Sequence, residues 1–129
     1  MLYDRWKEEY QKKLLTADQA AQLVKSGDWI EYGFGINCAR DFDEALAKRK
    51  DELNDVKIRC DIGAYQHFTA EADPSGEIFT WNSWHVSAFD KKHIGQNLYY
   101  IPMKFHENPY MTRHDCEPND IAVIQCTPM

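Results

Sequence analysis

Gly33-Phe34-Gly35 sits where an apolar run, Asp28-Trp29-Ile30-Glu31-Tyr32, hands over to a helical pattern that begins near Asp41. A glycine turn between a strand and a helix leaves backbone N–H groups facing outward, and the helix dipole favours negative charge there. Such a turn suits an anion, or the oxyanion that forms when an acyl carbonyl is attacked. A purely structural turn is the competing reading of the same residues. The third glycine of the dinucleotide fingerprint is missing, so a nicotinamide cofactor is not expected.

The second candidate is the run Trp81-Asn82-Ser83-Trp84-His85. Two tryptophans three apart, interleaved with Asn, Ser and His, suit a pocket wall that holds an apolar chain and orients it with a few polar groups. Core packing with local turn bonds explains the same run without a ligand. Ser83 and His85 lie too close in sequence for spacing alone to mark a nucleophile and its base.

The remaining reactive side chains read as structural. The five histidines, His67, His85, His93, His106 and His114, show neither HExxH nor HxH spacing, and no metal is expected. The four cysteines, Cys38, Cys60, Cys116 and Cys126, contain no CxxC pair and are expected as reduced thiols. In Asp115-Cys116-Glu117 the flanking carboxylates would raise the thiol pKa, the wrong direction for a nucleophile.

The elements that must position these residues follow from periodicity. Tyr3, Trp6, Tyr10 and Leu14 recur at helical spacing. Thr16 and Gln19 form a capping box for a second helix with the stripe Ala20, Ala21, Leu23 and Val24, ended by Gly27. Residues 28–34 read as a strand. A third helix, with Asp41 and Glu44 as another capping box, buries Phe42, Ala45, Leu46 and Leu53. Residues 56–62 form the next strand.

Strand, loop, helix and strand within about 35 residues make a βαβ unit, which joins parallel strands by a right-handed crossover. Further strands are expected at 77–81 and 98–101, with a short helix at 86–95. Residues 120–126 read as the clearest buried strand. The fold class is therefore α/β, with a mainly parallel open sheet and flanking helices, in one domain over residues 1–129. The best strand ends close to Met129 with no helix after it to cover it, which suggests a piece of a longer protein.

Composition narrows the function classes. In 129 residues, 43% are hydrophobic and 13% aromatic, enough for one real core. The net charge of −6 argues against nucleic acid, and the short basic run Lys48-Arg49-Lys50 is flanked by Glu44, Asp51 and Glu52. No stretch reaches the ~20 apolar residues of a membrane span, and the charged N-terminus lacks a signal-peptide core. The expected location is the cytoplasm.

Several stretches resemble the start of family I CoA-transferases of the acetyl-CoA hydrolase/transferase group. They include Tyr10-Gln11-Lys12-Lys13-Leu14, Thr16-Ala17-Asp18-Gln19-Ala20 and Lys25-Ser26-Gly27-Asp28-Trp29. Phe79-Thr80-Trp81-Asn82-Ser83-Trp84-His85 and the closing residues 120–129 discriminate best, and resemble the butyryl-CoA:acetate branch. The sequence departs from many members at Ala39, which stands where they have proline.

The resemblance implies catalysis through a glutamyl-CoA thioester. The catalytic glutamate is expected outside this chain, in the C-terminal half of the same enzyme, so the chain alone is expected to be inactive. Substrates are an acyl-CoA and a small carboxylate, with coenzyme A as substrate rather than cofactor; a homo-oligomer is possible. Gly33, Gly35 and Asn37 are the candidates for the substrate-facing loop, and Trp81, Ser83 and His85 for the pocket wall. A 4-hydroxybutyrate, propionate or succinyl-CoA transferase, an acyl-CoA hydrolase, and a non-catalytic binding domain are the rival readings.

Overall fold

The computed structural model describes residues 2–114 and 118–127. Helix α1 spans Leu2–Lys13. Helix α2, Ala17–Ala21, starts at the expected capping box: Thr16 Oγ1 accepts from the Gln19 amide at 3.1 Å, and Gln19 returns its side-chain oxygen to the Thr16 amide at 2.9 Å. Strand β1 is Trp29–Tyr32, α3 is Arg40–Ala47 and β2 is Val56–Cys60. Then come α4, Phe68–Ala72, and β3, Phe79–Ser83. Strand β4 is Leu98–Tyr100, α5 is Asn108–Arg113 and β5 is Ile121–Val123.

The five strands form one sheet in the order β4-β3-β2-β1-β5, and every neighbouring pair is parallel. The expected α/β fold with a parallel sheet is therefore observed. Alternation assigns the faces. Ile30, Tyr32, Ile58, Cys60, Phe79, Trp81 and Leu98 join Ala21 and Val24 near α2, and Phe42, Ala45 and Leu46 of α3, in one core. Each large apolar side chain buried there contributes about 1.5–3 kcal/mol.

The opposite face carries Glu31, Arg59 and Asn82. Arg59 Nη1 bonds Glu31 at 3.0 Å, and its guanidinium lies 5.0 Å from the Trp29 ring and 5.9 Å from the Trp84 ring. β4 and β5 lie at opposite edges of the sheet, so the chain passes from one edge to the other between them. The bond from Arg59 to the Pro118 carbonyl, 3.4 Å, fixes part of that crossing on this second face.

Four expectations are corrected. Residues 120–126 do not form a long buried strand: β5 is three residues at the sheet edge, half-buried at Ile121 and Val123, and Ile124 beyond it is exposed. Among the described residues it pairs with β1 alone. The Asp41–Glu44 box does not form, because α3 starts one residue earlier, after Ala39, which offers no capping side chain. Residues 86–95 hold only a 3-10 turn at Lys91–His93; the Asp90 carboxylate accepts from the Ser87 amide at 2.8 Å and closes a turn instead of a helix. Helix α2 stops at Ala21, leaving Leu23 exposed. Among the described residues no helix is long and apolar enough to cross a membrane.

Candidate functional site

Parallel strands deliver all their carboxyl ends to one side, which is where ligands bind in open α/β sheets. Here that side gathers the Gly33–Ala39 loop after β1, the Asp61-Ile62-Gly63 bend after β2, and His85 after β3. The loops are tied to one another by backbone bonds. The Gly33 amide donates to Val123 O at 3.0 Å, the Gly35 amide to Asp61 O at 3.2 Å, and the Ile62 amide to His85 O at 3.1 Å. Ser83 Oγ also donates to His85 O, at 2.8 Å, and the Ile101 amide donates to Ser83 O at 2.9 Å.

Two glycines are required by the loop's shape. Gly33 passes so close to Asn37 that a Cβ would fall 2.5 Å from the Asn37 carbonyl oxygen. Gly35 has φ +59°, a left-handed conformation that costs an L side chain about 1–2 kcal/mol. The residues between them and α3 turn as a 3-10 helix, Gly35–Asn37, before α3 begins.

The glycine turn does not offer the amides that the sequence suggested. Gly33 and Gly35 spend their N–H groups on Val123 and Asp61, and Asn37 donates to Phe34 O at 3.0 Å. Crossing loops at a crowded strand end compete for the same donors, and backbone carbonyls have taken these three. Asn37 itself is exposed, and its carbonyl accepts from the Gln125 amide at 2.7 Å.

Under the loop lie Cys38 and Cys60, free and buried, with sulfurs 2.8 Å apart. Cys38 also donates to Gly33 O at 2.9 Å. Its hydrogen bond with Cys60 pulls the Cys38 thiol below its ordinary value, while the same bond and burial push Cys60 up.

Ser83, Trp81 and His85 are brought to different surroundings. Trp81 is 0% exposed on the helix-covered face; His67 stacks on its ring at 3.8 Å, and its indole N–H bonds Thr69 Oγ1 at 2.9 Å. That places it in the core rather than on an open wall. Ser83 is buried as well. His85 is 51% exposed, and its Nδ1 lies 2.6 Å from Oδ1 of Asp61, whose side chain is 3% exposed.

Asp61 is the residue that sequence reasoning passed over. The signal lay in the register: Cys60 pairs with Ser83, so residues just beyond both strands must emerge together. Tyr32, Asp43 and Thr69 form a neighbouring buried polar cluster. Asp43 accepts from Tyr32 Oη at 3.1 Å, Thr69 Oγ1 at 2.7 Å and the Phe68 amide at 2.6 Å. Burial nevertheless pushes the Asp43 carboxyl above its usual range and the Tyr32 phenol well above its own.

Among the described residues no group of three His, Cys, Asp or Glu side chains could hold a metal ion. Asp115, Cys116 and Glu117 lie outside the described residues.

Residues 2–129 match the family model described as the acetyl-CoA hydrolase/transferase N-terminal domain. The chain belongs to the acetyl-CoA hydrolase/transferase family. It is 74% identical over 128 residues to a probable butyrate:acetyl-CoA coenzyme A-transferase of Syntrophomonas wolfei, covering 99% of this chain and 29% of that protein. It is 42% identical over 125 residues to the butyryl-CoA:acetate CoA-transferase of Anaerostipes caccae, covering 96% of this chain and 28% of that one. The chain thus spans under a third of the length of these curated relatives. In fold it is similar to RipA from Yersinia pestis, with a TM-score of 0.78 at 19% identity over 95% of this chain and 31% of RipA.

Proposed function

We propose that this chain is the N-terminal part of an acyl-CoA:carboxylate CoA-transferase that moves CoA between butyryl-CoA and acetate. The observation that carries the reading is the 74% identity to the Syntrophomonas wolfei protein across nearly the whole chain, followed by the 42% identity to the Anaerostipes caccae transferase. The composition is compatible: an acidic chain with no membrane-spanning helix among its described residues suits a cytoplasmic enzyme of small metabolites.

In this reading a glutamate carboxylate outside the chain attacks the butyryl thioester. The product is a mixed anhydride and free CoA thiolate. The thiolate then attacks the glutamyl carbonyl, releasing butyrate and leaving glutamyl-CoA. Acetate reverses both steps and leaves as acetyl-CoA. Splitting the exchange this way replaces one hard displacement by easier ones. Coenzyme A is substrate throughout, and no prosthetic group is used.

This chain contributes the sheet and the strand-end loops: Gly33, Gly35 and Asn37 shape one wall, and Ser83 and His85 the next. Trp81 supports that wall from beneath. The rest of the enzyme closes the site.

The test is a protein that carries this chain at the length of its relatives. With butyryl-CoA and acetate it forms acetyl-CoA, and borohydride reduces a trapped glutamyl thioester that peptide mapping places outside residues 1–129. The 129-residue chain alone shows no turnover. Turnover by that chain, or release of CoA without transfer to acetate, overturns the reading.

A further inference from the structure

Asp61 and His85 stand on adjacent crossover loops at the carboxyl end of the sheet, one residue beyond Cys60 and two beyond Ser83. The carboxylate is buried, while half of the imidazole faces solvent. Asp61 Oδ1 lies 2.6 Å from His85 Nδ1, and Oδ2 has no hydrogen-bond partner among the described residues. Burying a carboxylate that is only partly satisfied is unfavourable.

The backbone here is also strained. Ile62, a β-branched residue, holds φ +43°. That conformation lets its amide reach His85 O, which Ser83 Oγ grips as well. Two unfavourable features thus meet at one place: Asp61 holds the His85 ring, and Ile62 holds its backbone carbonyl. A ring held through Nδ1 presents Nε2 on its far side.

We propose that Asp61 and His85 work as one unit that receives the carboxylate of the incoming small acid. With the ring protonated at both nitrogens, Asp61 accepts the hydrogen bond from Nδ1–H, and Nε2–H donates to a carboxylate oxygen of the substrate. This rests on the transferase reading above. CoA exchange between two carboxylates moves no net proton, so the imidazole serves as a hydrogen-bond donor rather than a base. Ile62 and Ile101, both exposed at the same strand ends, offer apolar surface for a short acyl chain beside that donor. Asp61 is a positioning residue, and His85 touches substrate.

Two measurements test this. In the 129-residue chain, ring 15N NMR follows His85 while butyrate is titrated in. The Nε2 signal moves to a plateau, Nδ1 stays hydrogen-bonded, and Asp61→Asn weakens the response about tenfold, the usual scale for one hydrogen bond to a charged group. In the protein at its relatives' length, Asp61→Asn and His85→Gln each raise KM for acetate about tenfold and leave KM for butyryl-CoA within twofold.

A purely structural role would change both KM values, or kcat alone, and either result overturns the proposal. So does an Nε2 signal indifferent to butyrate. If Asp61→Asn does not fold, His85→Gln decides, because that ring is half exposed. Should the wild-type enzyme make no acetyl-CoA, the transferase reading falls, while the butyrate titration still decides the His85 contact.

Discussion

The sulfur atoms of Cys38 and Cys60 lie 2.8 Å apart beneath the Gly33 carbonyl, joining the loop after β1 to the end of β2. They are free, buried thiols rather than a disulfide, and a small approach would couple them. Treatment with diamide is expected to form a Cys38–Cys60 disulfide, read by mass spectrometry as the loss of two hydrogens and protection of both residues from alkylation after unfolding. Cys126 is exposed and is expected to alkylate quickly in the native chain. Fast native alkylation of Cys60 would contradict the arrangement.

Gly33→Ala and Gly35→Ala test the loop in different ways. The first places a Cβ against the Asn37 backbone and forces the loop to move; a cost of about 1–3 kcal/mol is expected. The second meets open space but a left-handed backbone, and is expected to cost about 1–2 kcal/mol. Urea denaturation of each variant checks both. Equal, negligible effects would show that the loop is not held as described.

Trp81 is expected to behave as a core residue. Trp81→Phe loses the bond to Thr69 and part of the His67 stack, and Trp81→Ala removes about 3–5 kcal/mol of stability. Thermal unfolding distinguishes this from a ligand-wall role, which would alter substrate KM with little change in stability.

Asp73 gives the fold an acid-sensitive contribution. Burial opposes its charge, but the Ser75 hydroxyl and the Phe79 and Ile78 amides prevail and hold its carboxyl below the usual range. The folded value lies below the unfolded one, so the unfolded chain takes up the proton first. The stabilisation is complete above the unfolded value near pH 4 and is lost as pH falls through the folded value. Asp73→Asn is expected to lower stability at pH 7 and to flatten the acid limb of a stability–pH curve measured by urea titration. A variant with an unchanged acid limb would refute the assignment.

The parts legible in sequence were those fixed by local periodicity and local chemistry. The βαβ order gave the parallel sheet, and Thr16 with Gln19 gave a helix start to the residue. Residues 120–126 misled because an apolar run looks the same whether a strand lies inside a sheet or at its edge; neighbours decide that. The glycine loop was found, but not the fate of its amides, since Val123 and Asp61 are distant in sequence and compete for them only after folding. Asp61 was invisible as a partner of His85 for the same reason: their meeting depends on the register of β2 against β3. Asp41 and Glu44 had the pattern of a cap, but Asp43, between them, is the acidic residue whose side chain ties α3 to Tyr32 and Thr69.

The edge strand β5 has a consequence for how the molecule assembles. It joins β1 across a long separation: the Trp29 amide donates to the Asp120 carboxylate at 2.8 Å, and the Asp120 amide returns a bond to Trp29 O at 2.9 Å. Closing so long a loop is entropically unfavourable and slow compared with forming the adjacent crossovers. During synthesis, β1 to β4 and their helices leave the ribosome before β5 and can pair first. β5 then acts as a clasp on β1, and it draws the strand-end loops into register through the bond from Gly33 to Val123.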